Sequence, residues 1–113
     1  MRWLLPMIAF FSVTLFAAGY NGTWKAQIQT AGGKSEKVLT LKSEGDKLTG
    51  TFKDERGEFP LQNGSVEGLD VFFTITINDV KSTYRGHMFT NDEIQFKIES
   101  GDNQFDMIAQ KIS

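Results

Sequence analysis

The chain has 113 residues, 40% of them hydrophobic and 23% charged, and a formal net charge of −2. This composition is typical of one small globular domain and excludes a disordered chain or a multidomain enzyme. The chain lacks the basic excess that nucleic-acid binding requires, and because it contains no Cys we exclude disulfides, thiolate zinc sites and thiol catalysis.

The first residues have the layout of a secretory signal peptide. Met1 and Arg2 supply a positive start, residues 3–18 carry no charge, and small residues precede the polar Asn21. The uncharged run is shorter than the roughly 20 residues that a membrane-spanning helix needs. The pattern therefore favours a cleaved signal over a membrane anchor.

We predict a signal peptide at residues 1–19 and one domain at 20–113, with cleavage after Ala18 or after Gly19. Small secreted domains of eukaryotes usually carry disulfides, so their absence favours a bacterial protein. We expect an exported, periplasmic or extracellular location, with no stable membrane insertion once the signal is removed.

Turn-forming Gly, Asn and Asp residues recur along the rest of the chain at intervals that suit a strand and its turn. They predict eight strands, near residues 21–30, 36–43, 47–53, 58–63, 69–77, 80–89, 93–99 and 104–112. Apolar and polar residues alternate most clearly from Trp24 to Gln29 and from Val71 to Ile77. This alternation is typical of strands that bury one face.

The same alternation defines a set of inward-facing residues. These are Leu39, Leu41, Leu48, Gly50, Phe52, Phe59, Leu61, Tyr84, Gly86, Met88, Ile94, Phe96, Ile98, Phe105, Met107 and Ala109. Inward glycines permit strong coiling of a sheet or close packing by an aromatic neighbour. Pro60 lacks an amide donor, and we expect a break in its strand near Asn63–Gly64.

The alternation of inward and outward residues, or parity, also constrains two hairpins. Placing Leu41 opposite Leu48 gives an even-numbered loop, whereas placing Met88 opposite Ile94 gives an odd-numbered loop at residues 90–92. An antiparallel meander of about eight strands is best closed into a single up-and-down β-barrel, because closure removes the exposed edges. A two-sheet β-sandwich is the alternative.

Several segments resemble small exported bacterial lipocalin-like, or calycin-like, β-barrel domains without assigned chemistry. They are Gly22–Lys25, Leu39–Lys42, Gly45–Phe52, Gly57–Leu61, Gly64–Gly68, Thr83–Gly86 and Asp92–Phe96. The resemblance covers nearly all of the chain after the signal and implies a fold, not a reaction.

The segments Gly22–Trp24 and Leu48–Phe52 are also similar to the start of the avidin and streptavidin barrel. That family encloses biotin with later tryptophans, and none follows Trp24 here, so biotin binding is not expected. Lipocalins share the Gly-x-Trp start and close one barrel end with the Trp. The resemblance implies the same role for Trp24.

An eight-stranded barrel can hold one small ligand or be filled by its own side chains. The large inward residues favour a filled core over a deep pocket and leave room for a shallow pocket at one rim. Ser82 and Tyr84 are the polar members of the interior that parity identifies. We take Trp24, Tyr84, Ser82 and Phe52 as candidate ligand-binding residues.

No catalytic set, metal site or cofactor is predicted. His87 is the single His, and parity places it outward, opposite Gln95 and without an evident partner for acid–base catalysis. Most carboxylates fall in turns, where Asp and Asn bond local amides. The segment Gly101–Asp106 does not have the spacing of a full calcium loop.

Phe72 and Phe89 are apolar residues on the predicted outer face. If they touch, they form a patch for a protein partner or a homodimer.

Three functions remain open. The leading one is a non-catalytic exported module that binds a small apolar ligand or a glycan. The alternatives are a protein-interaction module that uses the outer apolar face, such as an inhibitor or envelope assembly factor, and a small hydrolase or isomerase that uses turn carboxylates.

Overall fold

The computed structural model describes residues 19–30 and 33–113. The predicted signal peptide lies outside the described residues, except for Gly19. The strands are β1 (Gly22–Thr30), β2 (Gly33–Glu44), β3 (Lys47–Asp54), β4 (Gly57–Pro60), β5 (Gln62–Glu67), β6 (Asp70–Ile77), β7 (Val80–Thr90), β8 (Glu93–Ser100) and β9 (Asn103–Lys111). Within the described ranges, no helix is long and apolar enough to cross a membrane.

The strands form one closed antiparallel barrel. From β1 to β3 and from β5 to β9 each strand pairs with the next, and β9 pairs with β1. Strands β4 and β5 both pair with β3, and β5 also pairs with β6. Since β4 and β5 occupy one position between β3 and β6, the barrel has eight strand positions. The predicted up-and-down barrel is confirmed.

The strand that contains Pro60 is interrupted, as the sequence predicts. Its pairing with β6 shifts register between Gln62 and Ser65, and Asn63 has a positive φ of 54°. Proline ends the regular ladder because it has no amide to donate. The predicted strand at residues 58–63 therefore ends early as β4, and a second strand, β5, continues to Glu67, beyond the predicted bounds.

The β2–β3 hairpin differs from the predicted register. Leu41 lies opposite Gly50 rather than opposite Leu48. The reason is a two-residue turn at Gly45–Asp46, one position later than the predicted centre of the loop. Gly45 has a φ of 62°, which suits glycine in a tight hairpin turn. The even-numbered loop is confirmed.

The β7–β8 hairpin has the predicted pairing of Met88 with Ile94. Its loop differs from the predicted odd-numbered loop, because Thr90 pairs with Glu93 across a two-residue turn. Phe89 is the extra residue between the two pairs and forms a β-bulge. The extra residue that makes this segment odd-numbered therefore lies in a bulge of β7 and not in the loop.

Large apolar side chains fill most of the interior. Trp24, Phe52, Phe73 and Phe96 are among those that are fully buried. A Cβ on Gly86 would lie 2.6 Å from the Phe96 ring, so the glycine allows the aromatic side chain to pack against the strand. Most of the predicted inward set is buried, but Phe59 and Leu61 are half-buried beside the strand break. Phe105 is 44% exposed.

Candidate functional site

Trp24 closes the end of the barrel at which β1 begins and β9 ends. Its indole Nε1 donates a hydrogen bond to the Tyr20 carbonyl, with an N–O distance of 3.1 Å. The Tyr20 hydroxyl donates to the Gly68 carbonyl at 2.8 Å. The Lys111 ammonium lies 5.6 Å from the centre of the Trp24 ring, within the range of a cation–π contact. The indole is therefore fixed on several sides at this closed end.

The opposite, open end contains a cavity of about 430 Å³. Its apolar wall includes Ile28, Phe52, Ile75, Ile77, Ile98 and Phe105. Phe105 and Val80 are partly exposed because they form the apolar rim of this opening. A concave, mainly apolar site with a few polar groups is the usual form of a small-molecule site, and this volume lies in the usual range.

Tyr84 presents a hydroxyl to this cavity. Its ring stacks on Phe73 with centroids 4.9 Å apart and contacts Phe52 at 5.8 Å. The hydroxyl has no hydrogen-bond partner among residues 19–30 and 33–113. Burial raises the pKa of Tyr84 to about 12. The phenol therefore stays protonated at neutral pH and can donate a hydrogen bond to a bound molecule.

Lys37 lies in the cavity wall with Tyr84 and forms an inward-facing ion pair with Asp54 behind it. Lys37 Nζ is 3.1 Å from Asp54 Oδ2, and the two side chains are 10% and 0% exposed. Lys37 has the parity of Leu39 on β2, and Asp54 has the parity of Phe52 on β3. A buried charge persists only when a partner or hydrogen bonds compensate its lost hydration. Each ion provides that compensation for the other.

The turn between β3 and β4 completes the polar cluster. Arg56 donates to Asp54 from its backbone amide and from its guanidinium group. Burial by itself raises the pKa of Asp54, but the hydrogen bonds from Arg56 and Lys37 outweigh burial and hold the pKa below its ordinary value. Asp54 is thus an ionised anchor that positions both cations.

Glu55 lies on the solvent side of the same turn. Its two carboxylate oxygens accept hydrogen bonds from Ser35 Oγ at 3.0 and 3.1 Å. Its Oε1 is 3.8 Å from Lys37 Nζ. A hydrogen bond donated by its own backbone amide, followed by the one from the Ser35 hydroxyl, lowers the pKa of Glu55. The carboxylate therefore covers one side of Lys37 at the mouth of the cavity.

Three of the four candidate ligand-binding residues line this cavity. Tyr84, Ser82 and Phe52 lie together in its wall, and Ser82 Oγ donates to Ser100 Oγ at 3.0 Å. Trp24 belongs to the closed end and does not line the cavity.

The charged cluster of Lys37, Asp54, Glu55 and Arg56 was not predicted from the sequence. Lys37 and Asp54 could have been found, since each lies two positions from an apolar inward residue of its own strand. The turn residues Glu55 and Arg56 carry no parity signal.

The two apolar residues of the predicted outer patch lie apart. Phe72 pairs with Arg85 across β6 and β7, and the Arg85 guanidinium lies 5.8 Å from its ring. Phe89 is four residues farther along β7, about 13 Å at the rise of an extended strand. The structure therefore does not bring Phe72 and Phe89 into one patch.

A broader groove of about 700 Å³ crosses the outer face of β7, β8 and β9. His87 lies in it, opposite Gln95 as predicted. Its Nδ1 is 2.8 Å from Asp70 Oδ1, a partner that sequence analysis did not find, and the two side chains are 54% and 70% exposed. The groove lies on the outer surface of the sheet, whereas the smaller cavity is bordered by the buried side chains of Phe52, Ile75 and Tyr84 inside the barrel. The inner cavity is therefore the better candidate site.

Carboxylates and His87 also do not gather into a metal centre in the described part of the chain. No group of three or more His, Asp or Glu side chains there is arranged to hold a metal ion.

The fold is similar to solved β-barrels. A fatty-acid-binding protein from Schistosoma mansoni in complex with arachidonic acid matches with a TM-score of 0.58 and 11% identity, over 87% of this chain and 99% of that one. A point mutant of the fluorescent protein UnaG matches with a TM-score of 0.54 and 11% identity, over 84% and 97%. A de novo designed fluorescence-activating β-barrel matches with a TM-score of 0.57 and 16% identity, over 86% and 98%.

These likenesses show that the chain has the antiparallel β-barrel fold of these proteins, and at 11–16% identity they show the fold alone. No family model matches the sequence. No curated protein matches it either.

The two tyrosines of the chain provide a test of this geometry. Burial raises the pKa of Tyr84 to about 12, and burial followed by the charge of Asp70 does the same for Tyr20. Both phenols bind their protons more tightly in the folded state, so their contribution to stability is complete below pH 10 and is lost as the pH rises towards 12.

We therefore expect the phenolate absorbance of the native protein to stay low at pH 10 and to rise only as the pH approaches 12. In denaturant, both tyrosines are expected to titrate near their ordinary pKa of 10.0. Tyr84→Phe should remove one of the two late titrations. A native midpoint near 10 for either tyrosine would contradict its burial.

Proposed function

We propose that this protein is a non-catalytic binding module for a small amphipathic molecule. The apolar part of the ligand lies in the cavity at the open end, and its polar group lies among Tyr84, Lys37 and Arg56. One observation carries the proposal: an apolar cavity ends at a free, protonated hydroxyl and a fixed cluster of charges. Such a site binds a ligand that has both an apolar body and a polar end more tightly than one that has only an apolar body.

One structural neighbour supports this proposal through its ligand. The Schistosoma barrel holds arachidonic acid, a long apolar chain that ends in a carboxylate. The protein described here shares that fold, and its own cavity lies inside the barrel.

The chemistry of the cluster favours binding over catalysis. Asp54 accepts hydrogen bonds from Lys37 and Arg56, so it is engaged as an anchor rather than poised to take a proton. A general base needs a proton to abstract within hydrogen-bond reach. A glycan remains the alternative ligand, and the probes below distinguish it from an apolar one.

The proposal includes export, as the composition of residues 1–19 predicts. Removal of that segment leaves Tyr20, whose hydrogen bonds hold Trp24 and Gly68 at the closed end. Intact-mass measurement of the protein recovered from a bacterial expression host tests this directly. A periplasmic or secreted product that starts at Gly19 or Tyr20 supports export, and an uncleaved cytoplasmic product contradicts it.

The rim offers a matched pair of variants on β9. Phe105 is 44% exposed and lines the cavity, whereas Ile108 is 48% exposed and lies on the outer face. We expect Phe105→Ser to weaken binding of the neutral dye Nile red about fivefold, because about half of a phenylalanine side chain loses its contact with the ligand. Ile108→Ser should bind the dye as the wild type does.

Fluorescence titration measures both affinities, and displacement by 1-decanol, decanoate and maltose identifies the ligand class. Displacement by the decyl compounds supports an apolar ligand, and displacement by maltose alone favours a glycan. If neither dye nor decyl compounds bind to the folded protein, or if Ile108→Ser is the weaker variant, the proposed site is wrong.

A further inference from the structure

Among its charged side chains, the open-end cavity has more free hydrogen-bond donors than free acceptors. Lys37 Nζ carries three N–H groups and uses two of them, towards Ser35 Oγ at 2.8 Å and Asp54 at 3.1 Å. Arg56 uses part of its guanidinium group on Asp54, and the Tyr84 hydroxyl has no partner among the described residues. A molecule that enters this cavity therefore meets free donors from three side chains.

Free acceptors are fewer among the charged groups, and the two other hydroxyls that line the cavity, those of Ser82 and Ser100, bond each other. Asp54 is fully buried and already accepts bonds from both cations, so it offers little to a ligand. Glu55 provides the other carboxylate at the cavity, and Ser35 Oγ already bonds both of its oxygens. An acceptor-rich group, such as a carboxylate, fits this surplus of donors better than a donor-rich amine or amide does.

Glu55 itself already places a carboxylate beside Ser35 and Lys37. Its side chain is 65% exposed and comes from the two-residue turn between β3 and β4. It reaches back to Ser35 and to within 3.8 Å of Lys37. An exposed ion pair of this kind contributes little to stability because water replaces it easily. The Glu55 carboxylate can therefore leave while Asp54, which has no exposed side-chain surface, stays.

Charge balance favours such an exchange. Lys37 and Arg56 carry positive charges, and Asp54 and Glu55 carry negative charges, so the cluster is neutral overall. If an anion were added while Glu55 stayed in place, a negative charge would remain uncompensated at a partly buried position, which is costly. If the anion replaces Glu55, the charges around Lys37 stay balanced.

We infer that the ligand is an anionic amphiphile whose carboxylate-like group takes the place of the Glu55 carboxylate beside Ser35 and Lys37. This inference rests on the proposed function, because it requires that the apolar chain lies in the same cavity. Glu55 then acts as an internal competitor, and its removal strengthens binding of anions while leaving neutral ligands unaffected.

The test compares Glu55→Gln with Glu58→Gln, using decanoate and 1-decanol as probes. Both substitutions remove one negative charge, but Glu58 lies on β4, points outward and accepts its hydrogen bond from Thr51. Isothermal titration calorimetry of the folded chain 20–113 gives the four affinities, and thermal melts confirm folding. Glu55 is exposed, so the variant is expected to fold.

We expect Glu55→Gln to bind decanoate about tenfold more tightly than the wild type, the change that one charge-assisted hydrogen bond produces. Its affinity for 1-decanol should be unchanged, and Glu58→Gln should match the wild type for both probes. If Glu55→Gln binds decanoate no better than Glu58→Gln does while 1-decanol still binds, the inference fails and the proposed function stands. If neither probe binds any of the three proteins, the proposed function fails as well.

Discussion

Gly50→Ala is expected to lose about 4 kcal/mol or more of the free energy of unfolding, or to fail to fold. A Cβ at this position would lie 1.8 Å from the Thr40 carbonyl oxygen of the paired strand. Its backbone φ of 145° is also one that residues with a side chain rarely adopt. Because small domains have a total stability of only about 5–15 kcal/mol, this one methyl group removes much of the margin. Urea unfolding followed by circular dichroism measures the loss.

Gly45→Ala is the matched control for Gly50→Ala. Gly45 also has a positive φ, of 62°, but a Cβ there meets nothing within 4 Å. Its expected loss is about 1 kcal/mol, the cost of a left-handed backbone for a residue with a side chain. Equal losses for the two variants would contradict the close approach of β2 and β3 at Gly50.

Trp24→Ala is expected to lose about 3–5 kcal/mol, the range for removal of a fully buried aromatic side chain. The variant also loses the hydrogen bond to the Tyr20 carbonyl and the contact with Lys111. Trp24→Phe keeps most of the apolar area and should lose less than Trp24→Ala. Chemical unfolding of both variants gives these differences.

Ligand affinity of Trp24→Phe separates the two roles of Trp24 that the sequence left open. As Trp24 closes the opposite end of the barrel, the folded variant is expected to bind decanoate with wild-type affinity. A folded Trp24→Phe protein that no longer binds decanoate would instead place Trp24 in the ligand site. A Trp24→Ala protein as stable as the wild type would contradict its role as the closure of the barrel.

The barrel was predictable because side chains of a strand alternate between its two faces, which leaves few possible assignments of inward and outward residues. Once Trp24 and Phe73 are inward, every second residue of their strands is inward too, and regular turns allow each strand to pair with the next. Local details were less predictable because they depend on turn geometry. Parity alone does not reveal whether an odd residue enlarges a loop or, like Phe89, forms a bulge within a strand.

The charged part of the site was harder to predict for an energetic reason. Lys and Asp are rarely buried unless they are paired, so Lys37 and Asp54 look like strand-end residues in solvent when each is considered alone. Their burial becomes favourable only because β2 and β3 bring them within 3.1 Å of each other. Arg56 and Glu55 then join through a turn whose conformation the sequence pattern does not specify.

A two-dimensional ¹H–¹⁵N NMR titration of the chain 20–113 with decanoate tests the central claim most directly. We predict that the amides whose signals shift lie around the open end, at Lys37, Glu55, Ser82 and Tyr84, while Trp24 at the closed end stays unperturbed. Shifts confined to the outer groove around His87, or no shifts for a folded protein at saturating decanoate, would contradict an amphiphile site inside the barrel.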